Sequence, residues 1–123
     1  MPQNHFCRIR YSETFNQLWN DRYGASGSIA FHPYYKNMYL RDIDYKKFGF
    51  SHFYTLDSNP PITHHDGLDN SPYASDAEAY QNVVDELQNS NHPQFIQLAT
   101  MQNHPPYSDW YSDNQFKDAD TTN

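Results

Sequence analysis

Apolar residues recur along the chain at spacings that predict helices alternating with short buried strands. The first helix is predicted by apolar residues on one helical face, which are Tyr11, Phe15, Leu18 and Trp19. Ser12 is the expected N-cap of this helix, and Gly24 is its expected end. A second, short helix is predicted to begin at Asp42 as its N-cap and to stop at Gly49.

The clearest helical pattern is "SDAEAYQNVVDEL". Ser75 and Glu78 have the spacing of a capping box at its start. The predicted buried stripe consists of Tyr80, Val83, Val84 and Leu87. The residues "HPQ" after this pattern are expected to end the helix.

Two short apolar runs predict buried strands. The first is Gly27 to His32, and the second is Phe95 to Met101. Between them, Asp57 to Tyr73 is rich in turn-forming residues and has no period, which indicates a functional or a disordered loop. The order helix, strand, short helix, long loop, helix, strand predicts an α/β fold of mostly parallel strands with flanking helices.

Polar and aromatic side chains cluster directly after both predicted strands. The first strand leads into "FHPYYKNMYLR", Phe31 to Arg41, and the second leads into "QNHPPY", which contains His104. Ligands of open α/β sheets bind outside the carboxyl ends of the strands. If the two strands are parallel, His32 and His104 face one site.

The residue types in these two loops suit an anionic ligand that carries hydroxyl groups, such as a phosphate ester. Arg41 can hold a phosphate or carboxylate through two parallel N–H bonds. His32 and His104 can donate hydrogen bonds or transfer a proton near neutral pH. Tyr39 can stack on a sugar or glycerol face. An alternative at this point is structural: Arg41 begins "RDID", where a solvated ion pair is common, and a strand-end histidine is often a structural group.

Two other features have weaker chemical interpretations. "THHDGLD", Thr63 to Asp69, contains metal-ligand residue types, but adjacent histidines rarely reach one ion, so a loop with two exposed histidines is the favoured interpretation. Cys7 lies beside Arg8 and Arg10, whose charges could lower the pKa of its thiol, but we interpret it as a small apolar filler rather than a nucleophile.

Composition narrows the classes of partner. The chain has 123 residues, which fits one small domain, and a net charge of -7, which argues against nucleic acid and anionic membrane surfaces. The single cysteine excludes an internal disulfide. No apolar run has the length of a membrane span or the core of a signal peptide, so the chain as given is predicted to be soluble.

Two longer segments resemble a known family. "AFHPYYKNMYLRDIDYKKFGFSHFY" and "FIQLATMQNHPPY" resemble segments of the lipoteichoic acid synthase-like phosphoglycerol transferases, which belong to the sulfatase family of the alkaline phosphatase superfamily. The resemblance extends from Phe15 to Tyr107, with both motifs in the family's order. It implies a partial alkaline phosphatase/sulfatase-like layer over residues 1–111. The polar residues 112–123 are expected to form a flexible tail.

The resemblance also implies a reaction and a site. In this family a metal-activated Thr attacks phosphatidylglycerol, and glycerol phosphate then passes to a growing polymer such as lipoteichoic acid in the cell envelope. Arg41 would hold phosphoryl or glycerol oxygens, and Tyr39, where the family often has Trp, would contact the glycerol. His32 and His104 would line the pocket and donate to substrate oxygens. The family often has a polar or acidic residue at the position of Tyr34.

The family's nucleophilic Thr, its acidic metal ligand and its Asp-His metal pair have no counterpart in this sequence. We therefore expect no catalytic residue, metal ligand or cofactor in this chain, whereas the complete family domain is expected to use manganese or magnesium. The chain is interpreted as the substrate-recognition portion of a membrane-anchored parent with an extracellular catalytic domain, and it is expected to show no turnover alone. A non-catalytic phosphate- or polyol-binding module and a structural domain remain alternatives. An open sheet edge would permit self-association.

Overall fold

The computed structural model describes residues 13–24 and 27–114, and its helices alternate with three strands. The helices are α1 (Phe15–Tyr23), α2 (Arg41–Lys47) and α3 (Asp76–Asn89), and a 3-10 helix spans Met38–Leu40. The strands are β1 (Ser28–Phe31), β2 (His52–Tyr54) and β3 (Phe95–Leu98). The predicted order of elements is confirmed except for β2, which lies within "FGFSHFYTL" and was not foreseen.

The three strands form one parallel sheet in the order β2-β1-β3. Ile29 pairs with His52 on one side and with Ile96 on the other. Parallel neighbours require a crossover, and α3 provides the crossover that leads into β3. The prediction of an α/β fold with parallel strands is therefore confirmed, and the loops after β1 and β3 open at the same edge of the sheet.

Apolar side chains cover both faces of the sheet. On the face that α3 covers, Ile29, Phe31 and Ile62 are buried, and Val83 and Leu98 pack against them. Burial of each such side chain contributes about 1.5–3 kcal/mol relative to exposure. On the other face the side chains are mainly aromatic: the Tyr45 ring meets the Phe53 ring edge-on at 4.7 Å, and Phe15, Phe50 and Phe95 pack together. The sheet thus lies between two layers and positions its strand ends rigidly.

The helix starts differ in detail from the predictions. Thr14 caps α1 through a reciprocal pair of hydrogen bonds with Gln17, whereas the predicted cap Ser12 lies outside the described residues, as does Tyr11. Gly24 ends α1 as predicted, with φ 93°. Helix α2 already begins at Arg41, so the predicted cap Asp42 lies inside its first turn.

The predicted buried stripe of α3 is wrong in part: Val83 packs against the core, whereas the other three members are exposed. Tyr80 and Leu87 are 59% and 54% exposed, and the buried positions of the helix are Ala79 and Asn82. Asn82 can face inward because its amide makes two hydrogen bonds with the backbone of His64, which satisfies a polar group that burial would otherwise penalise. The predicted N-cap is confirmed, since the Ser75 side chain accepts from the Glu78 backbone N–H.

The start of the predicted C-terminal tail is bonded to the domain. The backbone N–H and hydroxyl of Ser112 both donate to Asp69 Oδ2, at 2.7 and 2.9 Å. These two bonds hold the pKa of the Asp69 carboxyl below its usual value. The rest of the tail from residue 115 lies outside the described residues.

Candidate functional site at the strand ends

His32 lies at the carboxyl end of β1 and has no exposed surface. Its backbone N–H donates to the carbonyl of Tyr54 at 2.9 Å, which continues the sheet by one residue beyond the strand. This placement differs from the expectation that His32 lines the pocket. A fully buried imidazole affects a ligand through the groups that it supports rather than by direct contact.

Two successive residues in the left-handed region turn the chain so that Arg41 reaches His32. Tyr39 and Leu40 both have φ 55°, a conformation that costs a non-glycine residue roughly 1–2 kcal/mol. Backbone bonds on either side of this turn, including that from Asp42 N–H to the Lys36 carbonyl at 3.0 Å, hold it in place. As a result, Tyr39 is exposed at the protein surface while Arg41 points back to the end of β1.

Arg41 is paired with His32, which the structure shows to be a hydrogen-bond acceptor. Arg41 Nη1 lies 2.9 Å from His32 Nδ1. A guanidinium only donates, so Nδ1 carries the lone pair and the proton of the neutral ring is on Nε2. Burial, reinforced by the Arg41 charge and to a smaller extent by His104, lowers the pKa of His32 from its usual 6.5 to about 4, against an opposing backbone hydrogen bond with Ala99.

A neutral partner leaves the charge of Arg41 uncompensated. The sequence "RDID" allowed a solvated ion pair, but the ion pairs found within the described residues both belong to His64, and none joins Arg41 to Asp42 or Asp44. The guanidinium is only partly exposed, and its Cζ lies 5.6 Å from the centre of the Tyr39 ring. A half-buried guanidinium whose hydrogen bond within the described residues goes to a neutral imidazole is suited to bind an anion.

His104 reaches the same place from the loop after β3. Its Nε2 lies 2.8 Å from the Tyr39 hydroxyl, and its Nδ1 lies 2.6 Å from the Pro105 carbonyl oxygen. A carbonyl only accepts, so Nδ1 carries the proton and Nε2 of the neutral ring accepts from Tyr39. The structure thus brings His32, Tyr39, Arg41 and His104 together, and in this tautomer His104 Nε2 is an acceptor where the resemblance implied a donor.

Two further aromatic residues lie beside this cluster: Tyr34, whose position the family resemblance had singled out, and Tyr73, which sequence reasoning missed. The Tyr34 ring lies 6.3 Å from the His32 ring, and the Tyr73 ring lies 5.3 Å from the His104 ring. Tyr73 ends the long loop of residues 57–73, whose unusual length was the only signal in the sequence that it has a role. We refer to His32, Tyr39, Arg41 and His104 as the strand-end cluster.

The histidines of the long loop are arranged differently from a metal site. His64 Nε2 lies 2.8 Å from Asp85, His64 Nδ1 lies 3.8 Å from Glu78, and His65 is exposed. Hydrogen bonds from Gln81 and His64 lower the pKa of Asp85. In residues 13–24 and 27–114 no group of three or more His, Cys, Asp or Glu side chains could hold a metal ion. The manganese or magnesium implied by the resemblance therefore has no fitting donor set in this part of the chain.

A separate cavity of about 200 Å³ lies on the α3 face of the sheet, between α3 and the segment around Pro60. Phe31 and Tyr54 line it, and Asp85 and Glu86 contribute carboxylates. Burial and the charge of Glu86 raise the pKa of Tyr54. These acidic walls repel an anion, so the cavity does not compete with the strand-end cluster for a phosphate.

Comparison with known proteins identifies the family. The sulfatase family model matches residues 7–123, and the chain belongs to the sulfatase family. The structure of the Streptococcus pyogenes phosphoglycerol transferase GacH in complex with sn-glycerol-1-phosphate matches with a TM-score of 0.61 and 32% sequence identity over 76% of this chain. No curated protein matched the chain.

The fold is accordingly a partial alkaline phosphatase/sulfatase-like α/β fold, as the sequence resemblance predicted. The chain spans 24% of the length of the GacH chain that it matches. None of the helices formed by the described residues has the length and apolar character needed to cross a membrane.

Proposed function

We propose that the strand-end cluster binds a glycerophosphate-type anion, and that the chain is the substrate-recognition portion of a phosphoglycerol transferase of the sulfatase family. The observation that carries this proposal is the pairing of Arg41 with the neutral His32, which leaves a positive charge available at the carboxyl ends of two parallel strands. GacH, which this chain resembles, is described as a complex with sn-glycerol-1-phosphate.

Each group of the cluster has a distinct part in this proposal. Arg41 donates N–H groups to the phosphoryl oxygens and balances their charge. His32 orients the guanidinium through the hydrogen bond to its Nδ1 and stays neutral down to about pH 4. The exposed Tyr39 ring provides a flat surface for the glycerol carbons. His104 Nε2 accepts from a glycerol hydroxyl, which replaces the Tyr39 hydroxyl as its hydrogen-bond donor.

The described residues therefore bind and orient a ligand in this proposal. Transfer of glycerol phosphate from phosphatidylglycerol to a glycerol-phosphate polymer, as in lipoteichoic acid or related cell-envelope synthesis, needs an activated nucleophile and a manganese or magnesium ion to stabilise charge. We assign those groups, a membrane anchor and an extracellular location to the complete protein, and expect the chain alone to show no turnover.

Titration with sn-glycerol 1-phosphate, followed by backbone amide NMR shifts, tests the proposal. Shifts are expected around Arg41 and His104, and Arg41→Ala is expected to weaken binding by about 150-fold or more, because two charge-assisted hydrogen bonds contribute roughly 3 kcal/mol or more together. The matched control is Arg22→Ala, because Arg22 is an exposed arginine on α1 and should leave binding unchanged.

Three results would contradict the proposal. One is undiminished binding by Arg41→Ala. Another is a set of shifts confined to the cavity near Asp85. The third is a response limited to His64 and His65 that requires a divalent metal ion, which would instead favour the alternative of a structural or metal-binding domain.

A further inference from the structure

The second half of the long loop of residues 57–73 is bonded to α3 and to itself. The Asn82 side chain donates to the His64 carbonyl at 2.7 Å and accepts from the His64 N–H at 3.0 Å. Gly67 and Ala74 form an isolated antiparallel bridge, and the Ser71 N–H donates to the Leu68 carbonyl. The end of the loop, which carries Tyr73, therefore has a defined position rather than a mobile one.

Tyr73 is buried against the strand-end cluster and is 9% exposed. Its hydroxyl donates to the Pro105 carbonyl at 3.1 Å, and its ring meets the His104 ring edge-on at 5.3 Å. The Tyr34 ring lies 5.6 Å away from it and the Trp110 ring lies 5.7 Å away. Tyr73 thus contacts His104 and the carbonyl that His104 uses, while aromatic rings hold it in place.

The Pro105 carbonyl accepts from two donors, the Tyr73 hydroxyl and His104 Nδ1–H. We propose that Tyr73 is a positioning residue that fixes His104 in the Nδ1–H tautomer, with its Nε2 lone pair directed at Tyr39 and the ligand. The tautomer of a histidine is set by the hydrogen bond that its other nitrogen makes. Tyr73 orients the acceptor of that bond, and its ring packs against the imidazole at 5.3 Å.

The fixed tautomer has a consequence for ligand choice, which rests on the proposed function. A lone pair on His104 Nε2 accepts from a ligand hydroxyl but repels an unprotonated phosphoryl oxygen. Arg41 provides the donors for that oxygen. Tyr73 therefore favours a ligand that carries a hydroxyl group beside its phosphate over a phosphate without one.

The first experiment tests the tautomer in the ligand-free protein, independently of the proposed function. Imidazole ¹⁵N shifts are measured at about pH 8.5, above the usual titration range of histidine. We expect His104 to carry its proton on Nδ1 in the wild type and to show mixed tautomers in Tyr73→Phe, which keeps the ring but removes the hydroxyl. Tyr107→Phe is the matched control, because Tyr107 is 84% exposed in the same loop. A wild-type proton on Nε2, or an unchanged tautomer in Tyr73→Phe, overturns the proposal.

The second experiment compares affinity for sn-glycerol 1-phosphate and for inorganic phosphate. We expect Tyr73→Phe to weaken sn-glycerol 1-phosphate binding by about fivefold, as for loss of one neutral hydrogen bond, and to leave inorganic phosphate binding unchanged. Equal weakening of both ligands indicates general damage and overturns the selectivity role. If neither ligand binds the wild type, the proposed function fails, while the tautomer result still decides the positioning role of Tyr73.

Discussion

Acidification from pH 7 to pH 5 is expected to destabilise the protein through His32. The pKa of this group is about 4 in the folded protein and 6.5 in its usual environment. Between these two values the unfolded chain binds a proton that the native state does not bind, so stability falls as the pH falls. The contribution is fully present above pH 6.5 and fully lost below about pH 4.

The size of the effect follows from the two pKa values. One pKa unit corresponds to about 1.4 kcal/mol, so the complete loss is about 3 kcal/mol, of which about 2 kcal/mol falls between pH 7 and pH 5. The physical cause is that protonation would place a second charge on a fully buried ring whose Nδ1 lies 2.9 Å from Arg41 Nη1. This loss is a large fraction of the stability of a small domain.

Urea unfolding at pH 7 and pH 5 measures the effect when the wild type is compared with His32→Asn. The asparagine side-chain oxygen can replace Nδ1 as the acceptor for Arg41 but does not titrate. We expect the difference in unfolding free energy between the two pH values to be smaller in His32→Asn by about 2 kcal/mol. His52→Asn, at an exposed position of β2, should retain the wild-type difference.

Two outcomes would refute the reasoning. An NMR titration of the wild type that places the midpoint of His32 near 6.5 would remove the cause. An unchanged pH difference in His32→Asn would assign the effect to other groups. If His32→Asn does not fold, the NMR titration of the wild type alone still decides the question.

Two further predictions concern the long loop. Asn82→Ala should lower the unfolding free energy by about 2 kcal/mol, because two backbone groups of His64 lose their partner. The control Gln81→Ala, at an exposed position, should change the unfolding free energy by less than about 0.5 kcal/mol. Equal effects of the two substitutions in urea unfolding would contradict this prediction. Gly67→Ala should cost about 1–3 kcal/mol, because its Cβ would lie 2.2 Å from the Ser71 carbonyl oxygen. If the melting temperature of Gly67→Ala equals that of the control Pro72→Ala, the loop accommodates the added methyl group without loss of stability, and this prediction is wrong.

The position of the site was predictable because it depends on the order of the elements alone. Alternating helices and strands implied parallel strands, and parallel strands place their carboxyl ends at one edge. His32 and His104 were therefore predicted to lie at one site although 71 residues separate them in the sequence. The loop chemistry around Arg41 could be recognised in the same way, because it follows a strand directly.

The inward face of α3 was not predictable from periodicity. The predicted stripe of Tyr80, Val83, Val84 and Leu87 is regular, but within it Val83 alone packs against the core, and the buried positions of the helix are Ala79 and Asn82. The deciding contact, between the Asn82 amide and the backbone of His64, joins residues that are 18 positions apart and leaves no local pattern. Strand β2 was not predicted because its three residues, His52–Tyr54, are too few to show a period of their own.

The hydrogen-bonding roles of the two histidines could not be predicted from the sequence either, because Nδ1 of an imidazole can donate or accept depending on its neighbour. His32 accepts on Nδ1 because its neighbour is a guanidinium, while His104 donates from Nδ1 because its neighbour is a carbonyl. A carboxylate at the position of His32 would hold Arg41 as well but would neutralise it and compete with an anionic ligand. The neutral, buried imidazole orients the guanidinium without cancelling its charge, and this accounts for a basic group that stays available in a chain of net charge -7.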